Sequence, residues 1–409
     1  MSYGRDAQSA IYRAGATGRR PVVPTSWPAL EAAARRAMSP AAWAYIAGSS
    51  GAEETAANNR SALDAWRIVP RVLRDVSTRD LGVELLGHRY PTPVIAAPVG
   101  VLELAHRDAD LGIARAASAL GIPYVLSSQA SRPMEEVAAV MGDSPRWFQL
   151  YWSTSDDLVA SFVGRAEASG AQAIVVTLDT HMLGWRPRDL DIAYLPFIRG
   201  MGIAQYTSDP VFRALVAARE PSTGPRPRVT PEAVRTLLAM RRNIPLPNPR
   251  AAVETFLDVF SRSTLTWQNL AFLREHTSLP IILKGIQHPD DASLALDHGV
   301  DGIVVSNHAG RQVDGAIGSA AALPGIVDRV AGRVPVLFDS GVRSGADVFK
   351  ALALGASAVL VGRPYAYGLA IAGAAGAEAV LRDIVAEFDL VLGLSGHRSA
   401  AELAREALA

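Results

Sequence analysis

From about residue 92 the chain alternates short apolar runs with longer amphipathic stretches. The runs cover 93–99, 122–128, 147–152, 173–179, 280–285, 302–307, 335–339 and 358–362. Each is rich in Val, Ile or Leu and bounded by Gly, Pro or polar residues, the pattern of strands buried on both faces. Between them the pattern predicts helices over 108–120, 134–141, 156–169 and 290–298, each followed by glycine, and one from a Ser344 cap to Leu354 with Gly355 behind it. Eight strand–helix units predict an α/β fold, a (β/α)8 TIM barrel, with a doubly wound open sheet as the alternative. The absence of a Gly-x-Gly-x-x-Gly after any strand, and of a Walker A motif, counts against the open nucleotide-binding sheet.

Two regions fall outside the repeat. Residues 1–91 are expected to form an N-terminal helical extension packed on the barrel, with Ser39-Pro40 opening a short helix through Tyr45 that stops at Gly48. Residues 187–265, between the fourth and fifth strands, are too long for a simple connection and include Pro-rich pieces at 220–227 and 245–249. They are expected to act as a lid or an interface on a barrel spanning 92–390, followed by a tail over 391–409.

The 409 residues carry 40 Lys+Arg and 40 Asp+Glu, a formal net charge of zero, and no cysteine. That balance disfavours nucleic acid or an anionic membrane as the main partner. Thiolate metal sites, disulfides and a cysteine nucleophile are excluded. No apolar run approaches the roughly 18 residues of a membrane span, and the first 20 residues lack a signal-peptide core. A cytoplasmic protein is expected.

In barrels the chemistry sits at the C-terminal ends of the strands. Three pairs there have a spacing of two: Gln149 with Tyr151, Thr177 with Asp179, and Ser306 with His308. Alternation along a strand points both members of each pair the same way. An inner tier (Gln149, Thr177, Ser306) would offer neutral hydrogen bonds to a flat heteroaromatic ring. An outer tier (Tyr151, Asp179, His308) would offer acid–base groups to a molecule above it, with Asp179 orienting His308.

Only two lysines are present. Lys284 ends the fifth strand and could be a Schiff-base nucleophile, a fixed positive charge, or the partner of a buried carboxylate. Lys350 falls mid-helix and reads as a surface residue. The turns after strands seven and eight, Asp339-Ser340-Gly341-Val342-Arg343 and Gly362-Arg363-Pro364, combine small residues with an arginine each, which suits a phosphate. Arg186 and Arg311 would add positive charge matched to a carboxylate substrate. No histidine pattern indicates a metal.

Together with Ala97-Pro98-Val99-Gly100 and Phe148-Gln149-Leu150-Tyr151, these motifs resemble the FMN-dependent 2-hydroxy-acid oxidising enzymes. The resemblance runs from about Ala44 to Ser399, and the stretch 199–210 resembles the lactate 2-monooxygenase branch. It implies FMN held by Ala97, Val99, Gly100, Ser127, Gln149, Thr177, Lys284, Ser306, Asp339, Gly341, Arg343, Gly362 and Arg363. It implies a small 2-hydroxy acid gripped by Tyr45, Tyr151, Arg186 and Arg311, with His308 and Asp179 moving its proton. It further implies O2 as oxidant, decarboxylation of lactate to acetate, CO2 and water, and a homo-oligomer, a tetramer or octamer. Gly100, where many relatives carry alanine, would leave room near the flavin. Gln129 stands where an aromatic residue often lines the substrate pocket, and His181-Met182 replaces a Pro-Arg pair, so a larger or specialised acid is an alternative. An oxidase or dehydrogenase releasing the keto acid is a further alternative. From outside the family stand a Lys284 aldolase and a non-catalytic binding scaffold.

Overall fold

The computed structural model describes residues 3–220 and 229–409. The Pro-rich piece at 220–227 therefore lies outside the described residues, apart from Glu220.

All eight expected strands form. After a two-stranded antiparallel hairpin, β1 (Val83–Leu85) and β2 (His88–Tyr90), come β3 (Val94–Ala96), β4 (Tyr124–Ser127), β5 (Arg146–Leu150), β6 (Ile174–Thr177), β7 (Ile281–Ile286), β8 (Gly302–Val305), β9 (Val336–Phe338) and β10 (Ala358–Val361). β3 to β10 pair in parallel, and β10 returns to β3 to close the barrel. The parity of each strand separates two cores. Ile95, Val125, Trp147, Val175, Ile282, Val304, Leu337 and Leu360 fill the interior, together with Leu85 and Tyr90 of the hairpin. Their neighbours in sequence pack outward against the helices. The hairpin closes the end away from the site, for the Tyr90 hydroxyl donates to Gln172 Oε1 at 3.0 Å, just ahead of β6.

The helices between strands follow the expected caps. Ser344 Oγ accepts from Asp347 N at the head of Gly345–Ala353, and Gly121, at φ 64°, ends Ala109–Leu120 in the left-handed conformation that L side chains resist. Lys350 is a correction. It is no free surface residue, since its Nζ donates to the Leu63 carbonyl at 3.0 Å and ties this helix to the N-terminal segment.

Helices Tyr3–Ala16, Trp27–Ala37, Pro40–Ala47 and Glu54–Ala65 make up the N-terminal segment; the last three reach the site through Trp27, Tyr45 and Asn59, and Pro40–Ala47 has Ser39 capping its first turn and Gly48 ending it. The insertion folds into short helices around an aromatic cluster. Phe197 packs on Phe256 with ring centroids 5.0 Å apart and on Tyr45 edge-on at 6.4 Å, which joins the insertion to the barrel mouth.

Candidate functional site

Continuing each strand's inward parity past its apolar residues gives Ala97, Ser127, Gln149, Thr177, Lys284, Ser306, Asp339 and Gly362. These residues form the uppermost interior layer, and all but Ser306 line a solvent-open cavity at the C-terminal mouth. Ser306 sits just behind Lys284. The Lys284 ammonium lies 3.1 Å from Asp339 Oδ2 and donates to Ser306 Oγ at 2.9 Å. Burial pulls the Lys284 pKa down, but Asp339 and Asp179 outweigh it and hold the group above its ordinary 10.5. A lysine kept protonated in this way is a fixed charge and a poor imine-forming nucleophile. Ser127 Oγ donates to Gln149 Oε1 at 2.9 Å, whereas Gln149 Nε2 and Thr177 Oγ1 are buried with no hydrogen-bond partner.

The outer tier lies beyond the strand ends. β6 stops at Thr177 and β8 at Val305, so pleating alone does not aim Asp179 and His308. His308 takes φ 56° at the start of a short 3-10 turn, His308–Gly310, and its N–H is held by Ser306 Oγ at 3.1 Å. That turn brings His308 Nδ1 to 2.9 Å from Asp179 Oδ1. Thr180 Oγ1 lies 3.3 Å from the same nitrogen, and the Tyr151 hydroxyl lies 3.5 Å from Nε2. Burial pushes the His308 pKa below its ordinary 6.5, and Lys284 and Arg186 add to the shift against the pull of Asp179. Burial would raise Asp179, but His308, Lys284 and Thr180 together hold its carboxyl low. At neutral pH the arrangement is a neutral imidazole beside an ionised carboxylate, with Nε2 facing the cavity side where Tyr151 stands.

Four arginines, Arg186, Arg311, Arg343 and Arg363, also line the cavity, and none forms an ion pair among the described residues. Two of them cap a helix as well. Arg311 donates to the Tyr45 and Gly48 carbonyls at 2.6 and 2.7 Å, and Arg363 to those of Ile46 and Gly48 at 3.1 and 2.8 Å. These carbonyls end Pro40–Ala47, where helical partners run out. The pair thereby docks the N-terminal segment on the barrel and presents the Tyr45 ring 5.0 Å from the Arg311 guanidinium. Burial and Arg311 lower Arg186 and Arg363 to about 10 each. Arg186 is oriented by Gln312 Oε1 at 2.8 Å and the Arg311 carbonyl at 3.1 Å. Arg343 lies 4.7 Å from the Trp27 ring.

Every residue expected at the site, Ser306 and Asp179 aside, lines this one cavity, and those two touch residues that do. Sequence reading missed Thr180, Gln312, Asn59 and Trp27. Thr180 adjoins Asp179 and was within reach of the argument. Trp27 and Asn59 come from the N-terminal helices, whose place over the mouth has no local signal.

A family model described as FMN-dependent dehydrogenase matches residues 34–409. The chain belongs to that family. It is 44% identical to an FMN-dependent alpha-hydroxy acid dehydrogenase of Penicillium citrinum over 98% of this chain and 94% of the relative. It is 41% identical to an L-lactate oxidase of Lysinibacillus sphaericus over 90% of this chain and 89% of that protein. A solved mandelate oxidase with (S)-4-hydroxymandelic acid superposes with a TM-score of 0.79 at 36% identity, covering 94% of this chain and 98% of that chain. The protein is thus an FMN-dependent 2-hydroxy-acid oxidoreductase, which removes the aldolase and scaffold alternatives. The site fits the cofactor on its own terms. Unpartnered Gln149 Nε2 and Thr177 Oγ1 suit the polar edge of a flat ring, Lys284 supplies a fixed charge, and Gly341 (φ 86°) beside Arg343 suits a phosphate.

Proposed function

We propose that this enzyme oxidises an L-2-hydroxy acid at the mouth of the barrel, using His308 as the base. The observation that carries the reading is the partly buried His308–Asp179 pair with Tyr151 at its free nitrogen, beside arginines that form no ion pair among the described residues. Bound FMN supplies the two-electron acceptor. Gln149, Thr177, Ser127 and Lys284, the last positioned by Ser306 behind it, would hold its ring, while Asp339, Gly341, Arg343, Gly362, Arg363 and the backbone from Ala97 through Val99 to Gly100 would hold the remainder.

Arg186 and Arg311 bind the substrate carboxylate through paired hydrogen bonds, and Tyr45 and Tyr151 position the carboxylate and the 2-hydroxyl. His308 Nε2 takes the substrate proton. Asp179 keeps Nδ1 protonated beforehand and stabilises the imidazolium formed. The insertion around Phe197 packs on Tyr45 and serves as the lid that excludes water.

For the fate of the product we favour retention of the keto acid and its oxidative decarboxylation, lactate plus O2 giving acetate, CO2 and water, supported by the resemblance of residues 199–210 to the lactate 2-monooxygenase branch. The relatives named as oxidases and dehydrogenases favour a second reading, release of the keto acid, with H2O2 when O2 is the oxidant. One aerobic turnover of L-lactate decides: acetate without peroxide supports retention, pyruvate with equimolar peroxide supports release, and an unreduced flavin rejects lactate. Exposed apolar Met182, Trp185 and Ile192 near the mouth support assembly as a homo-oligomer, a tetramer or octamer, which light scattering would test.

A further inference from the structure

We propose that Gln129 selects the substrate, its carboxamide hydrogen-bonding an oxygen carried on the side chain of the 2-hydroxy acid; this rests on the 2-hydroxy-acid reading above. Gln129 follows inward-facing Ser127 by two residues, at the end of β4. It thus repeats the spacing that relates Tyr151 to Gln149, Asp179 to Thr177 and His308 to Ser306. β4 ends at Ser127, so it is the cavity lining rather than pleating that places Gln129 beside Tyr151 and His308, with the groups that meet substrate rather than those that floor the cavity. Neighbouring hydrogen bonds fix it there. The Gln129 N–H donates to Ser127 Oγ at 3.0 Å, Ser128 N donates to the Gln149 carbonyl at 3.0 Å, and Tyr151 N donates to Ser128 Oγ at 3.2 Å. Gln129 is therefore tied to the strand end that carries Tyr151.

Its side chain lines the cavity and is only 6% exposed, yet Nε2 is buried with no hydrogen-bond partner. A Cβ added at Gly100 would lie 2.8 Å from Gln129 Cβ and 3.3 Å from Oε1, so the carboxamide already lies over that glycine. This contact also explains Gly100 differently from the sequence reading: the space a methyl would take belongs to Gln129. A buried polar group without a partner is a site waiting for one. A ligand that supplies an oxygen there is favoured over one of equal size that leaves the amide unpaired.

The test compares acids that differ by hydroxyl for methyl: L-glycerate against L-2-hydroxybutyrate, and L-2,4-dihydroxybutyrate against L-2-hydroxypentanoate, on holoenzyme and on Gln129→Leu. FMN affinity of both proteins is measured by fluorescence titration. In the native enzyme kcat/KM should favour the hydroxylated member of at least one pair by about tenfold or more, and Gln129→Leu should abolish or invert that preference while FMN affinity stays within about threefold. A native ratio near one, or a ratio unchanged in Gln129→Leu, overturns the proposal. A tenfold or larger loss of FMN affinity also overturns it, by assigning the amide to the cofactor. Flavin that no 2-hydroxy acid reduces, lactate included, rejects the underlying reading instead.

Discussion

Lys284 and Asp339 form a buried ion pair across the barrel mouth, Nζ to Oδ2 3.1 Å, with the two side chains 4% and 11% exposed. The lysine thus serves at once as a fixed charge and as the partner of a buried carboxylate, two uses that sequence reading had set against each other. Lys284→Met should destabilise the apoprotein by about 3–5 kcal/mol in urea unfolding, because it strands the Asp339 charge. Adding Asp339→Asn should recover part of that loss. The raised lysine pKa fixes the pH dependence: the stabilisation is fully present below 10.5 and is lost as pH rises through the higher folded value.

The basic form of His308 governs the acid side of the rate profile. Its pKa lies below 6.5, so kcat/KM should rise with pH along a limb centred below 6.5. Asp179 is the contribution that raises this pKa, so Asp179→Asn should move the limb to lower pH and reduce kcat by roughly 10²–10⁴-fold through loss of the correct tautomer.

Tyr151 reaches His308 Nε2 at 3.5 Å and is buried in the cavity wall. Burial and Asp179 raise its pKa, so it stays protonated across the working range. Tyr151→Phe should cost about 0.5–1.5 kcal/mol, a fall of about 2–13-fold in kcat/KM by steady-state kinetics.

Gln149 Nε2 is a buried donor without a protein partner. If it serves the cofactor, Gln149→Leu should weaken FMN binding by about 1 kcal/mol, roughly fivefold in Kd by fluorescence titration, and should also destabilise the apoprotein by about 1–3 kcal/mol, because buried Ser127 Oγ loses Gln149 Oε1 as its acceptor.

Gly100→Ala forces a Cβ to within 2.8 Å of Gln129 Cβ. The substitution should destabilise the protein by about 1–3 kcal/mol in urea unfolding; a second change to Gln129→Gly, which removes the clashing Cβ, should relieve part of it, whereas Gln129→Ala, which keeps that Cβ, should not.

The barrel was legible because each strand is a short apolar run and each helix ends at a residue whose backbone preference is local, as at Gly121 and Ser344. The inner tier was legible for the same reason: Gln149, Thr177 and Ser306 continue the two-residue alternation of their strands. Tertiary structure alone decided the remainder. His308 meets Asp179 through a left-handed turn beyond β8, not through pleating. Arg311 and Arg363 cap a helix more than 250 residues earlier in the chain. Lys350 is tied to Leu63, and Trp27 reaches Arg343 from the N-terminal segment. Alternation and capping are set by neighbours in sequence, so a single chain displays them. Which distant carbonyl, ring or carboxylate meets a given side chain depends on how whole segments pack, and no local pattern records that.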